Sequence, residues 1–176
     1  MCEFVGWIEK GDKILFLTHD LIFNTPKGKK LQEWCENEED YLGHGAIRFY
    51  FGLERDEGEN KEHTNFGSPD NFPLAIVKAI KQGGMRGIGI GYGMLTIQAW
   101  AEYENVINQS WDECHKVAVQ AWDEYNKTPN HERVAGQAWA KYLGIVNQSS
   151  AKYKRMKNPA FWDIFTMPKN RIEAWR

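Results

Sequence analysis

A tryptophan returns at a fixed interval along the C-terminal half of the chain. Gln98-Ala-Trp-Ala-Glu-Tyr103 is followed by Gln109-Ser-Trp-Asp-Glu-Cys114 and by Gln120-Ala-Trp-Asp-Glu-Tyr125. The pattern restarts as Gln137-Ala-Trp-Ala-Lys-Tyr142 and Gln148-Ser-Ser-Ala-Lys-Tyr153. The period is about 11 residues, which turn only about 20° past three full helical turns. Trp100, Trp111 and Trp122 therefore line one side of a nearly straight helix, with Tyr103, Cys114 and Tyr125 beside them. Thr128-Pro129 interrupts the run as an N-cap followed by proline at the first helical position. The spacing predicts an αα-hairpin over roughly 97–127 and 130–156, with Pro159 ending the second arm. The aromatics are expected to form the seam between the arms or between copies. The competing reading is a row of stacking platforms for bases or sugars. Glu102, Glu113 and Glu124 beside the rings would repel phosphates, which favours packing.

The first 93 residues have a different texture and read as α+β. Glu3 to Glu9 and Lys13 to Thr18 are β-rich runs around Lys10-Gly11-Asp12, a hairpin signal. Leu31, Trp34 and Cys35 give helical spacing over 28–37. Ile47, Tyr50 and Phe51 share a face of a short helix over 45–52. The polar stretch 54–71 reads as a surface loop. Leu74, Ile76, Val77 and Ile80 predict a helix from Pro73, stopped by Gly83-Gly84. The fold class expected is thus α+β: a recognition module over 1–95, a helical hairpin over 96–157, and a basic aromatic tail over 158–176.

Composition narrows the partners. No apolar run is long enough to span a bilayer, and Met1 to Val5 lacks the pattern of a signal peptide. Cys2, Cys35 and Cys114 are too scattered for a disulfide framework or a zinc site, and they fit a reducing cytoplasm. The net charge of −2 argues against broad nucleic-acid binding. The charge is uneven: 151–176 holds 7 basic and 2 acidic residues, whereas 1–100 holds 11 and 15. The basic end either meets an acidic partner or folds back on its own chain.

Two segments could carry chemistry. Met85-Arg-Gly-Ile-Gly-Ile-Gly-Tyr-Gly93 lies between two predicted helices. Its glycines would let backbone N–H groups approach an anion before a helix N-terminus, with Arg86 as a forked donor. It could equally be a strand whose glycine face packs on a neighbour. In Gly43-His44-Gly45-Ala46-Ile47-Arg48, an imidazole and a guanidinium four residues apart fall on one side of a helix start. That suits anion binding or acid–base work, or else a capping turn with a salt-bridged arginine. Cys2 could become an N-terminal nucleophile if Met1 is removed. Cys114-His115 lacks the spacing of a metal pair.

Phe4-Val5-Gly6-Trp7-Ile8, the Gly43 to Arg48 motif and the Gln-Ala-Trp-Ala-Glu-Tyr units together resemble an uncharacterised family of phage and metagenome-encoded proteins. In that family a module bearing such a GHGAIR stretch precedes a variable number of short helical repeats. The resemblance implies no catalytic residue. It implies an origin in which small proteins act as inhibitors of the host or its defences. The expected function is non-enzymatic: sequestration of a small anionic, nucleotide-like ligand in the host cytoplasm. The ligand-binding residues expected are His44, Arg48, Arg86, Gly87, Gly89 and Gly91, with no metal and no cofactor. Direct inhibition of a host defence protein and a Cys2 hydrolase are the alternatives. Self-association is expected through 97–156, because two helices alone cannot cover such large aromatic faces.

Overall fold

The computed structural model describes residues 4–35, 40–41, 43–86, 91, 93–127 and 132–176, with side chains from 136 onward in the last stretch. It is a mixed fold, mostly helical, with one small antiparallel sheet. Residues Met1–Ala99 and Phe161–Arg176 form one compact unit, and Trp100–Ala160 form a second.

In the first unit, β1 (Val5–Lys10) is the central strand, between β2 (Lys13–Leu15) and β3 (Glu59–His63). Val5 pairs with His63 and Trp7 with Lys61 across one edge; Ile8 pairs with Leu15 across the other. β1 buries Val5, Trp7 and Ile8, so residues of both strand faces enter the core. β3 corrects the expectation of a loop over 54–71. Its sequence, Glu-Asn-Lys-Glu-His, is exposed almost throughout and carries no apolar alternation. Backbone pairing with β1, and not side-chain burial, makes it a strand.

Two short helices follow β2. Thr18 caps α1 (His19–Phe23), and Thr25 caps α2 (Pro26–Trp34) with proline in the first turn. Thr25 Oγ1 accepts from Gly28 N at 2.9 Å and donates to Leu21 O at 2.7 Å, tying the two helices together. Gly28 is fixed by this approach: a Cβ there would collide with the carbonyls of Leu21 and Ile22. Then come α3 (His44–Phe51) and α4 (Leu74–Lys81), the latter with Pro73 at its N-cap and Ile76 and Ile80 fully buried.

The C-terminal segment completes this core. Phe161, Trp162, Phe165 and Trp175 are all buried. Trp175 Nε1 donates to Phe66 O at 2.6 Å. Ring neighbours run from Trp7 to Phe72, from Phe72 to Trp175, and from Trp175 to Phe165. Leu95 bridges Arg171, Thr96 N donates to Asn170 O, and Ile172 N donates to Met94 O. Residues 161–176 are therefore part of the first unit and not the separate tail set apart at 158. The cause is apolar: four large aromatics leave water there.

The second unit is built from two long helices, α5 (Ile97–Asn126) and α6 (Glu132–Thr166). Thr128 and Pro129 lie outside the described residues. Pro159 does not end α6 but sits inside it. An interior proline costs about 3 kcal/mol. Burial of Phe161, Trp162 and Phe165 one turn later offsets that loss. No described helix is long and apolar enough to cross a membrane. The tryptophans are less covered than a closed seam requires: Trp111, Trp122 and Trp139 are 51%, 44% and 42% exposed.

Burial thus separates two kinds of tryptophan. Trp175→Ala is expected to destabilise the protein by about 3–5 kcal/mol, since it also orphans the Phe66 carbonyl. Trp111→Ala, half in water, should cost about 1–2 kcal/mol. Urea unfolding of the two variants checks the ranking; equal losses would contradict it.

Candidate functional site

Gly43 opens α3 without a side-chain cap, and His44 and Arg48 follow one turn apart on the same side. Both reach toward the segment that leads into β3. His44 Nε2 lies 2.9 Å from Lys61 O. A carbonyl only accepts, so this nitrogen carries the proton. The other ring nitrogen, Nδ1, is 3.9 Å from a Glu62 carboxylate oxygen, an ion pair only when the imidazole is charged.

Arg48 is used more completely. Its Nη1 donates to Glu54 O and Glu57 O, and its Nη2 donates to Gly58 O and to Asn60 Oδ1 at 2.8 Å. The turn over 54–60 offers four oxygens and the guanidinium fork fills them. The Glu57 side chain pairs with Lys10 at 2.6 Å and accepts from Glu54 N at 2.9 Å. Its carboxyl is held below the ordinary range, first by the Lys10 hydrogen bond and then by the Glu54 N–H, with smaller help from the charges of Lys10 and Arg48.

Arg86 is placed elsewhere. It forms an ion pair and hydrogen bond with Asp163, both side chains being about half exposed. Among the described residues no hydrogen bond or ion pair connects Arg86 with His44 or Arg48. Gly91 is buried, and a Cβ there would collide with Met94 Sδ and lie 2.9 Å from a Phe66 ring carbon. At that position the glycine serves close packing. Gly87 and Gly89 lie outside the described residues, as does Cys2. Gly84 O accepts from His19 N at 2.7 Å, so the start of the glycine segment docks α1.

The Cys35 thiol does not read as an activated nucleophile. Burial first, then the charge of Asp40, pushes the Cys35 thiol up from its ordinary value, which keeps it protonated. Cys114 is buried on α5, and His115 beside it stacks on Trp111. Among the described residues no three metal-ligating side chains gather.

The second unit contains a cavity of about 720 Å³. Cys114, Val117, Ile145 and Met156 supply its apolar wall, and Tyr153 also borders it. Lys152, Arg155 and Glu113 give it charge, and Ser110, Gln148 and Ser149 add neutral polar groups. Lys152 Nζ is 4.0 Å from Glu113. Among the described residues Arg155 has no ion pair. The sequence carries a faint signal of this place. The repeats that flank it depart from the consensus: Cys114 stands where Tyr103 and Tyr125 stand, and Ser150 where a tryptophan is due.

Removing Arg48 tests the role of the Gly43 to Arg48 motif. Arg48→Ala should destabilise the fold by about 2–3 kcal/mol, because four oxygens lose one donor group. Arg86→Ala, a half-exposed pair, should cost less than about 1 kcal/mol. Chemical denaturation separates the two; an Arg48→Ala protein as stable as its parent would leave the motif free for a ligand. The lowered Glu57 carboxyl gives a linked pH effect. Its contribution is present above the ordinary glutamate range and is lost as pH falls through the lowered value. Glu57→Gln should remove that part of the acid dependence.

The chain matches no family model, no curated protein and no solved structure.

Proposed function

We propose that this chain is a non-enzymatic binding protein that sequesters a small anionic, nucleotide-like ligand in its helical unit. The observation that carries the reading is the cavity of about 720 Å³, whose apolar wall is edged by Lys152 and Arg155. Small-molecule sites of this kind run from about 300 to 1,000 Å³, mostly apolar with a few placed polar groups. A ring would lie against Val117, Ile145 and Met156, and a phosphate or carboxylate would meet Arg155. Arg155 suits the task because a forked guanidinium binds such oxygens in pairs. The ligand is placed here, and not at His44, Arg48 and Arg86, because those donors are engaged by Lys61, by the 54–60 turn and by Asp163.

The unit itself is proposed to be an αα-hairpin of 11-residue repeats. Trp111 meets Tyr153 with ring centroids 5.4 Å apart, and Trp122 meets Tyr142 at 5.5 Å. One repeat forward on α5 is thus one repeat back on α6, which is antiparallel pairing in a fixed register. Tyr125 packs on Trp139 at 5.4 Å. One repeat away in the same register, Cys114 and Ser150 replace that pair of rings. The cavity borders Cys114, so aromatic volume is missing where the space is found. With the resemblance to phage-encoded proteins, the ligand would be a signal of host defence, removed by binding.

Denaturing the purified protein and analysing the supernatant by mass spectrometry tests this reading. A phosphorylated or similarly anionic aromatic compound is expected in near-stoichiometric amount, or else restored binding by nucleoside phosphates in calorimetry. Arg155→Ala should weaken binding by about 1.5–3 kcal/mol, roughly 10- to 100-fold, without lowering the melting temperature. Arg86→Ala should bind like the parent. No released compound and no uptake of any nucleoside phosphate would overturn the proposal.

A further inference from the structure

The helical unit has only two layers of its own to cover its apolar surface. Among its described side chains Tyr103, Ile107, Cys114 and Ala121 are buried, while Trp111, Trp122, Trp139, Val119 and Leu143 are exposed. The exposed tryptophans share an edge. At about 100° per residue, Trp111 and Trp122 lie some 65–85° to one side of the buried line of α5. Ser110, Glu113 and Val117, which line the cavity, lie on the opposite side of that line. On α6, Trp139 and Leu143 are one turn apart and fall on the side away from Lys152 and Arg155. The cavity and the tryptophan edge lie on opposite sides of the buried line, with Tyr153 between them.

Charge says what fits the edge. Residues 100–126 carry six acidic side chains and one lysine, a net −5. Residues 137–160 carry five basic side chains and no acidic one, a net +5. Within one chain this opposition is used sparingly: Lys141 reaches Glu124 at 3.5 Å and Lys152 reaches Glu113 at 4.0 Å. Asp112, Asp123 and Lys154 are exposed and have no ion pair among the described residues.

We propose that a second copy of this chain docks on the tryptophan edge, with the acidic α5 of each copy against the basic α6 of the other. A two-fold axis parallel to the helices produces this arrangement, an antiparallel four-helix bundle. Such an axis keeps each residue at its own level along the bundle. Trp111 and Tyr153 share a level, and so do Trp122 and Tyr142. Asp112 of one copy then lies near the level of Lys154 in the other. The rings close the centre and the charges form the rim. A copy of the same chain satisfies both requirements at once, an apolar centre and a helix of opposite net charge. The inference is independent of the ligand proposal, since it uses the other edge of the unit.

Sedimentation of the full chain, with two charge-swapped variants, tests it. The parent is expected to be a dimer of about 41 kDa at about 20 μM, twice the 20.5 kDa chain, and to dissociate more readily in high salt. Asp112→Lys and Lys154→Glu should each weaken the dimer by about 10-fold, as like charges meet across the interface. Circular dichroism should show the helix content unchanged. Mixing the two variants should restore the dimer, because each α5–α6 contact is then again between opposite charges. A monomeric parent, variants that dimerise like the parent, or a mixture that stays monomeric would overturn the proposal. So would a monomer that instead forms a one-to-one complex with a host protein through the same tryptophans.

Discussion

Arg171 carries the one buried charge among the described residues, and no carboxylate answers it. Its Nε donates to Phe165 O at 2.8 Å, and its Nη2 donates to Thr166 O and Lys81 O. Two of these acceptors are the last carbonyls of α6, and the third ends α4. Carbonyls there have no partner in their own helix and carry the negative end of the helix dipole. The guanidinium therefore finds its compensation in two helix ends at once, and its face lies 4.4 Å from the Phe165 ring centre. Burial lowers its pKa from the ordinary value, but an arginine has enough reserve to stay charged. A lysine could not make the forked contact. With Trp175 buried behind it, this residue fixes 161–176 against 1–99 and closes the first unit.

That closure makes 100–160 an insertion within the first unit's sequence. Each 11-residue repeat turns a helix by nearly whole turns, so adding a repeat to α5 and one to α6 changes the length of the arm and barely its phase. The variable repeat number expected from the phage-family resemblance is physically permissible for this reason.

What the sequence made legible was what side-chain periodicity records. Ile76 and Ile80 marked α4, and the hairpin around Gly11 marked β1 and β2. β3 was hidden because its pairing uses only backbone groups that every residue has. The start of α2 was missed although Thr25-Pro26 is the same cap signal applied to Thr128-Pro129; the apolar positions began later, at Leu31. Pro159 was read by its local cost, without the aromatic burial beyond it. The same blindness governed the candidate site. The four-residue spacing of His44 and Arg48 did put both on one side of α3, but sequence displays donors and hides acceptors. The oxygens that take up Arg48 are mostly main-chain carbonyls of 54–58, invisible in residue identity. The cavity was legible only as an irregularity, where Cys114 broke an aromatic repeat.

The two units differ in how fully they meet their own requirements. The first satisfies its arginine, caps α1 and α2 with threonines and buries a chain of rings from Trp7 to Phe161. The second leaves three tryptophans half in water, an arginine without an ion pair among the described residues, and a cavity beside the cysteine that stands for a ring in its repeat. Packing defects and exposed aromatics cost stability, and a two-helix unit has little to spare. Those departures are informative because the repeat supplies its own standard. Tyr125 and Trp139 demonstrate the packing available to this backbone, and Cys114 and Ser150 decline it. A unit that forgoes packing its own sequence can provide leaves that contact open to a ligand or a second chain.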